Sequence, residues 1–364
     1  MSYLDEQVVT YLGNKRSLLS FIEEGVSEVQ RQLGKSDISV LDLFSGSGVV
    51  SRYFKTFAGE LYVNDLEGYS NRLNHCYLMN SDEFDKDKLE YYFNDLVSNL
   101  GDDKLVSGFI TDLYAPKDDN DIQDGERVFY TNRNAKYIDT ARQLIESVPE
   151  PYKTLLLAPL LYEASNKNNT SGVFKGFYKN SETNRGQFGG NGRNGLHRIL
   201  ANIELKLPIL CDRDCEYHIY QKDANELVKE LPVVDLAYLD PPYKQHPYGS
   251  NYFMLNLINE YKKPSEISKV AGIPVDWNKS VYNKKALALS SFTQLCKDLK
   301  ARYILISFNS EGFITYDDMV DMLSKIGEVK VFEQNYNTFK ASRNLSGRDL
   351  YVKEYLYLVK KDII

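Results

Sequence analysis

No apolar run in the chain reaches the roughly 18 residues that a membrane-spanning helix needs, so no such span is expected. The first residues, MSYLDEQVVT, have no basic stretch followed by an apolar one, so no signal peptide is expected. Four cysteines among 364 residues do not make a disulfide scaffold, and a reducing cytoplasm is expected. Cys211, Cys215 and His218 do form a C-x3-C-x2-H run. Three ligands fall short of the four in a closed structural zinc site, so no metal is expected. A basic excess is also missing: 44 Lys and Arg stand against 51 Asp and Glu, a net charge of −7. That sum argues against a non-specific polyanion binder.

What is present is an ordinary folded composition, 43% hydrophobic and 26% charged, which excludes wholesale disorder. Tyrosine is abundant at 28 residues, a type that suits stacking and wet interfaces but suits half-buried strands equally. Ile38–Phe44 (ISVLDLF) is a short β-forming run that leads into Ser45-Gly46-Ser47-Gly48 and then a helical pattern. A second strand, Glu60–Asn64, ends at Asp65. Strand, glycine turn, helix and strand make a βαβ unit and predict a parallel sheet. The rhythm returns with a strand at Tyr217–Gln221, a helix at Ala224–Leu231 and an apolar strand at Val233–Leu239. A helix from about Ala286 to Lys300 and a strand at Ala301–Phe308 follow. Glu328–Gln334 and Leu350–Val359 read as a closing antiparallel pair.

Between these blocks the charge is uneven. Residues 81–125 carry 13 acids and 4 bases and read as a solvated helical face. Residues 164–200 carry six bases and one acid, with seven glycines and seven asparagines. Residues 80–205 therefore read as an inserted domain, helical first and then a basic, loop-rich arm. The acidity of the whole chain does not exclude DNA, because a binding surface can be local.

Two constellations carry chemistry. The glycine turn lets backbone approach a ligand, and Asp65, ending the next strand, suits a ribose hydroxyl. Ser51 stands where a dinucleotide fingerprint has its third glycine, which disfavours a dinucleotide oxidoreductase. The stronger signal is Leu239-Asp240-Pro241-Pro242-Tyr243. Two prolines cannot continue a sheet interior, so they fix a stiff turn where open α/β sheets bind ligands. An exocyclic amine on a base is a poor nucleophile, because its lone pair is delocalised into the ring. The Asp240 carboxylate and the Pro241 carbonyl, accepting its two N–H bonds, can localise that pair. The base must leave the helical stack to reach them, and Tyr243 would stack on it. That chemistry suits adenine N6, cytosine N4 or an RNA amine equally.

These motifs, in this order, resemble the Dam-like, alpha-group N6-adenine DNA methyltransferases that use S-adenosylmethionine. Tyr11-Leu12-Gly13-Asn14-Lys15-Arg16 is similar to their N-terminal motif, which implies cofactor contacts at Tyr11, Gly13 and Lys15. Asp42, Phe44, Gly46 and Gly48 match the glycine turn, Asp65 the ribose acid, and Asp223-Ala224 the contact to the cofactor's adenine. Asp240, Pro241, Pro242 and Tyr243 match the catalytic tetrapeptide, with Asp240 also implied as a cofactor contact. The resemblance implies a Rossmann-like methyltransferase fold, an α/β architecture with a seven-stranded mixed sheet and helices on both faces. It assigns 1–79 and 206–364 to catalysis and 80–205 to target recognition, mostly helical with a basic hairpin. Residues 184–193 are similar to the family's DNA-binding hairpin. The implied DNA contacts are Lys175, Lys179, Arg185, Arg193, His197 and Arg198, with Tyr248, Asn251 and Tyr252 beside the flipped base. Double-stranded DNA is the expected partner, a restriction enzyme a further one, and a monomer suffices. A catalytically silent subunit of the same fold is the alternative from another class, and the intact Lys15, Asp42, Asp65 and Asp240 argue against it.

Overall fold

The computed structural model describes residues 3–190, 192, 195–337 and 351–361. The chain divides into two compact units. One comprises Asn14–Asn74, Arg213–Pro247 and Asn278–Ile364; the other comprises Met1–Gly13, His75–Asp212 and Tyr248–Trp277. The second unit thus takes in two segments outside 80–205.

The first unit is built on one sheet of seven strands: β1 (Ser39–Asp42), β2 (Glu60–Asn64), β3 (Glu216–Tyr220), β4 (Val234–Leu239), β5 (Ala301–Asn309), β6 (Gly327–Asn337) and β7 (Tyr351–Lys361). Their order is β3-β2-β1-β4-β5-β7-β6. The first five strands run parallel, and β7 pairs antiparallel with both β5 and β6. The expected mixed sheet and its closing antiparallel pair are both present. Every residue of β4 is buried, as a central strand covered on both faces requires. One face is covered by the helices Ala224–Glu230, Lys285–Asp298 and Tyr316–Leu323, whose Leu227, Phe292 and Met319 join Ile304 and Ile306 in one core. On the other face the helix Leu19–Leu33 comes so close that a Cβ on Gly25 would lie 2.6 Å from Leu305 Cδ1. The strand order reverses between β1 and β4, and a reversal of this kind opens a crevice beyond the carboxyl ends of the strands. Asp42, Asp65 and Asp240 all lie at those ends.

The second unit is mostly helical, with Lys86–Ser98, Asn132–Glu146 and Tyr152–Asn166 as its longest helices. Its polar anchor is Asp139, fully buried, which accepts from the amides of Gly108, Ile110 and Thr111 and from the Tyr261 hydroxyl. One carboxylate therefore caps the start of the helix Phe109–Tyr114 from a neighbouring helix. Among the described residues no helix is long and apolar enough to cross a membrane.

Candidate active site and DNA-binding elements

The glycine turn is held by the acid at the end of β2. Asp65 Oδ2 accepts from the Gly46 amide at 2.7 Å and Oδ1 from the Glu67 amide at 2.8 Å. Gly46 and Gly48 take φ of 52° and 78°, in the left-handed region that glycine adopts freely. A Cβ on Gly48 would lie 2.8 Å from Asn74 Oδ1, and Asn74 is itself fixed by donating to Ser45 Oγ and to the Ser70 carbonyl. Gly48→Ala should therefore lower stability by about 1–3 kcal/mol and weaken ligand binding at the turn, both readable from thermal melts with and without ligand. Asp42 is fully buried at the end of β1; its Oδ2 accepts from Ser51 Oγ at 2.6 Å, while Oδ1 has no hydrogen-bond partner among the described residues. Burial pushes the Asp42 carboxyl up to about 7; Ser51 and the Phe44 amide oppose the shift, and the nearby Asp240 and Asp65 add to it. Burial likewise lifts Asp65 to about 6, against the amide bonds it accepts. Phe44 packs edge-on against Tyr282 with ring centroids 5.5 Å apart. Asp223 is exposed and caps the helix Ala224–Glu230 by accepting from the Asn225 and Glu226 amides.

The stiff turn after β4 brings a charge cluster together. Lys15 Nζ lies 3.3 Å from Asp240 Oδ1 and 4.0 Å from Glu354 Oε2. Lys15 and Glu354 are buried, whereas Asp240 keeps a partly open side chain. Burial opposes the Lys15 charge, yet Asp240 and Glu354 outweigh it and hold its pKa well above the usual value. Asp240 is pushed up to about 6 by burial; Lys15 pulls it down and Glu354 pushes it further up. Tyr243 packs edge-on against Phe308 with centroids 5.9 Å apart, and its carbonyl accepts from the Phe313 amide. Lys244 pairs with Glu311 and its carbonyl accepts from Asn283, so both flanks of the turn are tied. A carboxylate that must be ionised to accept from an amine sets the sign of the pH dependence: protonation removes function. With methyl donor in excess, kcat/KM for DNA should be flat above the Asp240 value and fall tenfold per pH unit below about 6. A pH–rate profile checks this.

Residues 11–322 match the family model described as D12 class N6 adenine-specific DNA methyltransferase. The chain belongs to that family. The methyltransferase is similar to the Type II methyltransferase M.CviAII of Paramecium bursaria Chlorella virus 1, 32% identical over 360 residues, covering 96% of this chain and 98% of the relative. It is similar to M.NlaIII of Neisseria lactamica at 30% identity, with 97% and 99% covered. Against the modification methylase LlaI of Lactococcus lactis subsp. lactis the identity is 28%, and the chain spans 55% of that longer protein. The enzyme is thus an adenine-specific DNA methyltransferase, which resolves the choice among amines that the chemistry alone left open. A methyl donor and a DNA substrate follow from the family.

In the methyltransferase's other unit, Tyr11 stacks on Tyr248 and Tyr252 with centroids 5.0 and 4.7 Å away. Tyr248 donates to the Leu12 carbonyl, and the Leu12 amide donates to Tyr252 Oη at 2.5 Å. Gly13, next in the chain, takes φ of 76°. Tyr252 is fully buried and Asn251 is 2% exposed, so in this conformation neither presents a surface to a duplex. Residues 178–187 form a hairpin: the Asn180 amide donates to the Arg185 carbonyl, and the Gln187 amide donates to the Tyr178 carbonyl. It is pinned by the fully buried Asn169, which donates to the Val128 and Gln187 carbonyls and accepts from the Gly189 amide. A Cβ on Gly186 would meet Val128 Cγ2 at 2.3 Å, so this strand must pass as glycine. Lys175 and Arg185 are exposed, and Lys179 lies over the Phe177 ring. His197 is exposed. Arg198 is half-buried and donates to the Asn166 carbonyl at the end of a helix; burial lowers its pKa. Arg193 lies outside the described residues.

Two findings depart from the sequence reading. Residues 117–126 are a loop and not part of a helical face, because their acids satisfy local amides: Asp118 accepts from Asn120, and Glu126 from Lys117 and Gln123. Asp124 of that loop pairs with Arg185 at 2.8 Å, so part of the acidic window lies against the basic hairpin. Around His218 the ligand-type groups that gather are Glu60 and Glu216; the His218 ring stacks on Tyr62 and bonds to Glu60. The sequence reading missed Glu354 and Asn169. For Glu354 a signal existed, an acid at an inward position of an apolar strand.

Proposed function

We propose that the methyl donor is S-adenosylmethionine, held at the carboxyl ends of β1 and β2 by Asp42, Phe44, Gly46, Gly48 and Asp65. The observation that carries this reading is the buried, unpartnered Asp42 Oδ1 beside two left-handed glycines. Among the described residues that oxygen has no hydrogen bond of ordinary geometry, and it lies next to backbone that a ligand can approach closely. Lys15, Asp223 and Ala224 fit as further contacts; Tyr11 and Gly13 rest on the resemblance of their motif alone. When bound, the donor supplies an electrophilic methyl group. The protein's own part is to accept the two N–H bonds of adenine N6 at Asp240 and the Pro241 carbonyl. Pro241 and Pro242 keep those acceptors rigid, and Tyr243 offers its ring to the extruded base. A thermal melt tests the donor. A hundredfold excess of S-adenosylmethionine over its Kd should stabilise the protein by about 2.7 kcal/mol, and no shift at millimolar donor would contradict the assignment.

Residues 80–205 are proposed as the target recognition domain, with Lys175, Lys179, Arg185, Arg193, His197 and Arg198 facing duplex DNA and Tyr248 beside the flipped base. The pinned hairpin supports this, because a base reader must be held rigidly. Asp240, Pro241, Pro242 and Tyr243 are the proposed catalytic set. Two whole-length relatives named as Type II methyltransferases support a role beside a cognate restriction enzyme. A cytoplasmic monomer is proposed as the working form. Arg185→Glu should weaken duplex binding and lower the salt slope by about one. Asp124→Asn should leave binding equal or tighter, since an exposed ion pair contributes at most about 1 kcal/mol to stability. Equal losses from the two variants in a salt titration would move the DNA face elsewhere.

A further inference from the structure

One buried carboxylate in the sheet unit has no role in the assignment above. Glu354 is 6% exposed, on the β7 position that pairs with Asn309 of β5 and Gln334 of β6. Its same-face neighbours Val352, Leu356 and Leu358 are apolar and buried, so the strand pattern alone calls for an apolar residue. Glu354 Oε2 has no hydrogen-bond partner among the described residues; the nearest cation is Lys15 Nζ, 4.0 Å away. That ammonium stands closer to Asp240, at 3.3 Å. One cation thus serves two carboxylates, and the trio carries a formal charge of −1. Burying a carboxylate with so little compensation is unfavourable, and an apolar or amide side chain of similar size would serve folding better. A costly charge beside a reacting group points to a task at that group.

We propose that Glu354 is a positioning residue for methyl transfer: by sharing the Lys15 ammonium it prevents full pairing of Lys15 with Asp240, leaving Asp240 able to accept the amine's hydrogen and then its proton. This rests on the reading of Asp240 as the amine acceptor. When N6 is methylated, one N–H bond must break with its electron pair staying on nitrogen. The proton goes to Asp240 Oδ, and the trio passes from −1 to neutral. A Lys15 held by Asp240 alone would resist that change; a Lys15 that Glu354 also holds resists it less. Among the described residues the groups facing Asp240 are Lys15, Glu354 from β7, Asp42 from β1, and the Tyr238 and Tyr243 hydroxyls. Among these only Glu354 and Asp42 add negative charge, and Asp42 is engaged by Ser51.

The test is the pH profile of single-turnover methylation of a duplex substrate, with S-adenosylmethionine saturating, for the wild type, Glu354→Gln, Glu354→Asp and Asp240→Asn. Removing the Glu354 charge should move the acid limb down by roughly half a pH unit or more. It should also lower the plateau rate by about tenfold while both KM values change by less than about threefold. Glu354→Asp keeps the charge at a greater distance from Lys15, so its limb should fall between the other two; it carries the test if the Gln variant does not fold. A limb unmoved in a folded Glu354 variant, whatever its rate, would overturn the proposal and leave Glu354 a structural residue. Turnover by Asp240→Asn within about tenfold of the wild type would instead overturn the reading on which it rests.

Discussion

Asp240→Asn should lower kcat by about 10²–10⁴-fold with little change in donor affinity. The substitution keeps the shape of the turn after β4 and removes an anionic acceptor. The amide can turn its oxygen towards the amine, but it cannot take the proton. It also leaves the Lys15 ammonium to Glu354 alone, 4.0 Å away, so the cation stays partly compensated and the fold should survive. Donor affinity should persist because the groups proposed to hold the donor, Asp42 and the glycine turn, are fixed by Ser51 and Asp65 and not by Asp240. Single-turnover kinetics with a donor titration separate the two effects. A fall in donor affinity that matched the fall in rate would assign Asp240 to binding.

Lys15→Met should be the most destabilising change at the site. It removes the cation that Asp240 and Glu354 share and leaves two carboxylates facing each other, one of them buried. Breaking a buried ion pair from one side costs about 3–5 kcal/mol, because the remaining charge loses its compensation. The sign with pH is fixed. Asp240 already has a raised folded-state value of about 6, and loss of Lys15 raises it further. A group with a raised folded value stabilises the protein below its unfolded value and loses that contribution as pH rises through the folded one. The deficit of the variant should therefore be largest at pH 8 and shrink towards pH 5. Denaturant melts at the two pH values check this; a pH-independent deficit would point to lost packing of the lysine stem.

Much of this was legible in the sequence because it is local. The run VVDLAYL followed by an acid and two prolines marks a central strand and the turn that ends it, and both stand as expected. Glu60–Asn64 needed no correction. The glycine turn was readable because φ above zero leaves few alternatives to glycine. What could not be read depends on distant segments. Glu354 sits near the opposite end of the chain from Lys15, and no periodicity couples them. Asn169 reads as one asparagine in a polar arm, yet it is fully buried and holds the hairpin. Tyr252 reads as a candidate contact to the flipped base or as packing; in the fold it stacks on Tyr11 and is buried. The acids at 117–126 read as a solvated run, and only the folded loop shows one of them neutralising Arg185. Charge sums over windows give the sign of a surface but not which residues cancel within it.

The most direct measurement is nucleoside mass analysis of DNA from a host without adenine methylation of its own, expressing either the wild-type chain or Asp240→Asn. After a short induction at equal protein level, N6-methyladenine should accumulate with the wild type and reach only a small fraction of that amount with the variant. Equal N6-methyladenine from both would contradict the account, because methyl transfer would then proceed without the carboxylate at the centre of the site.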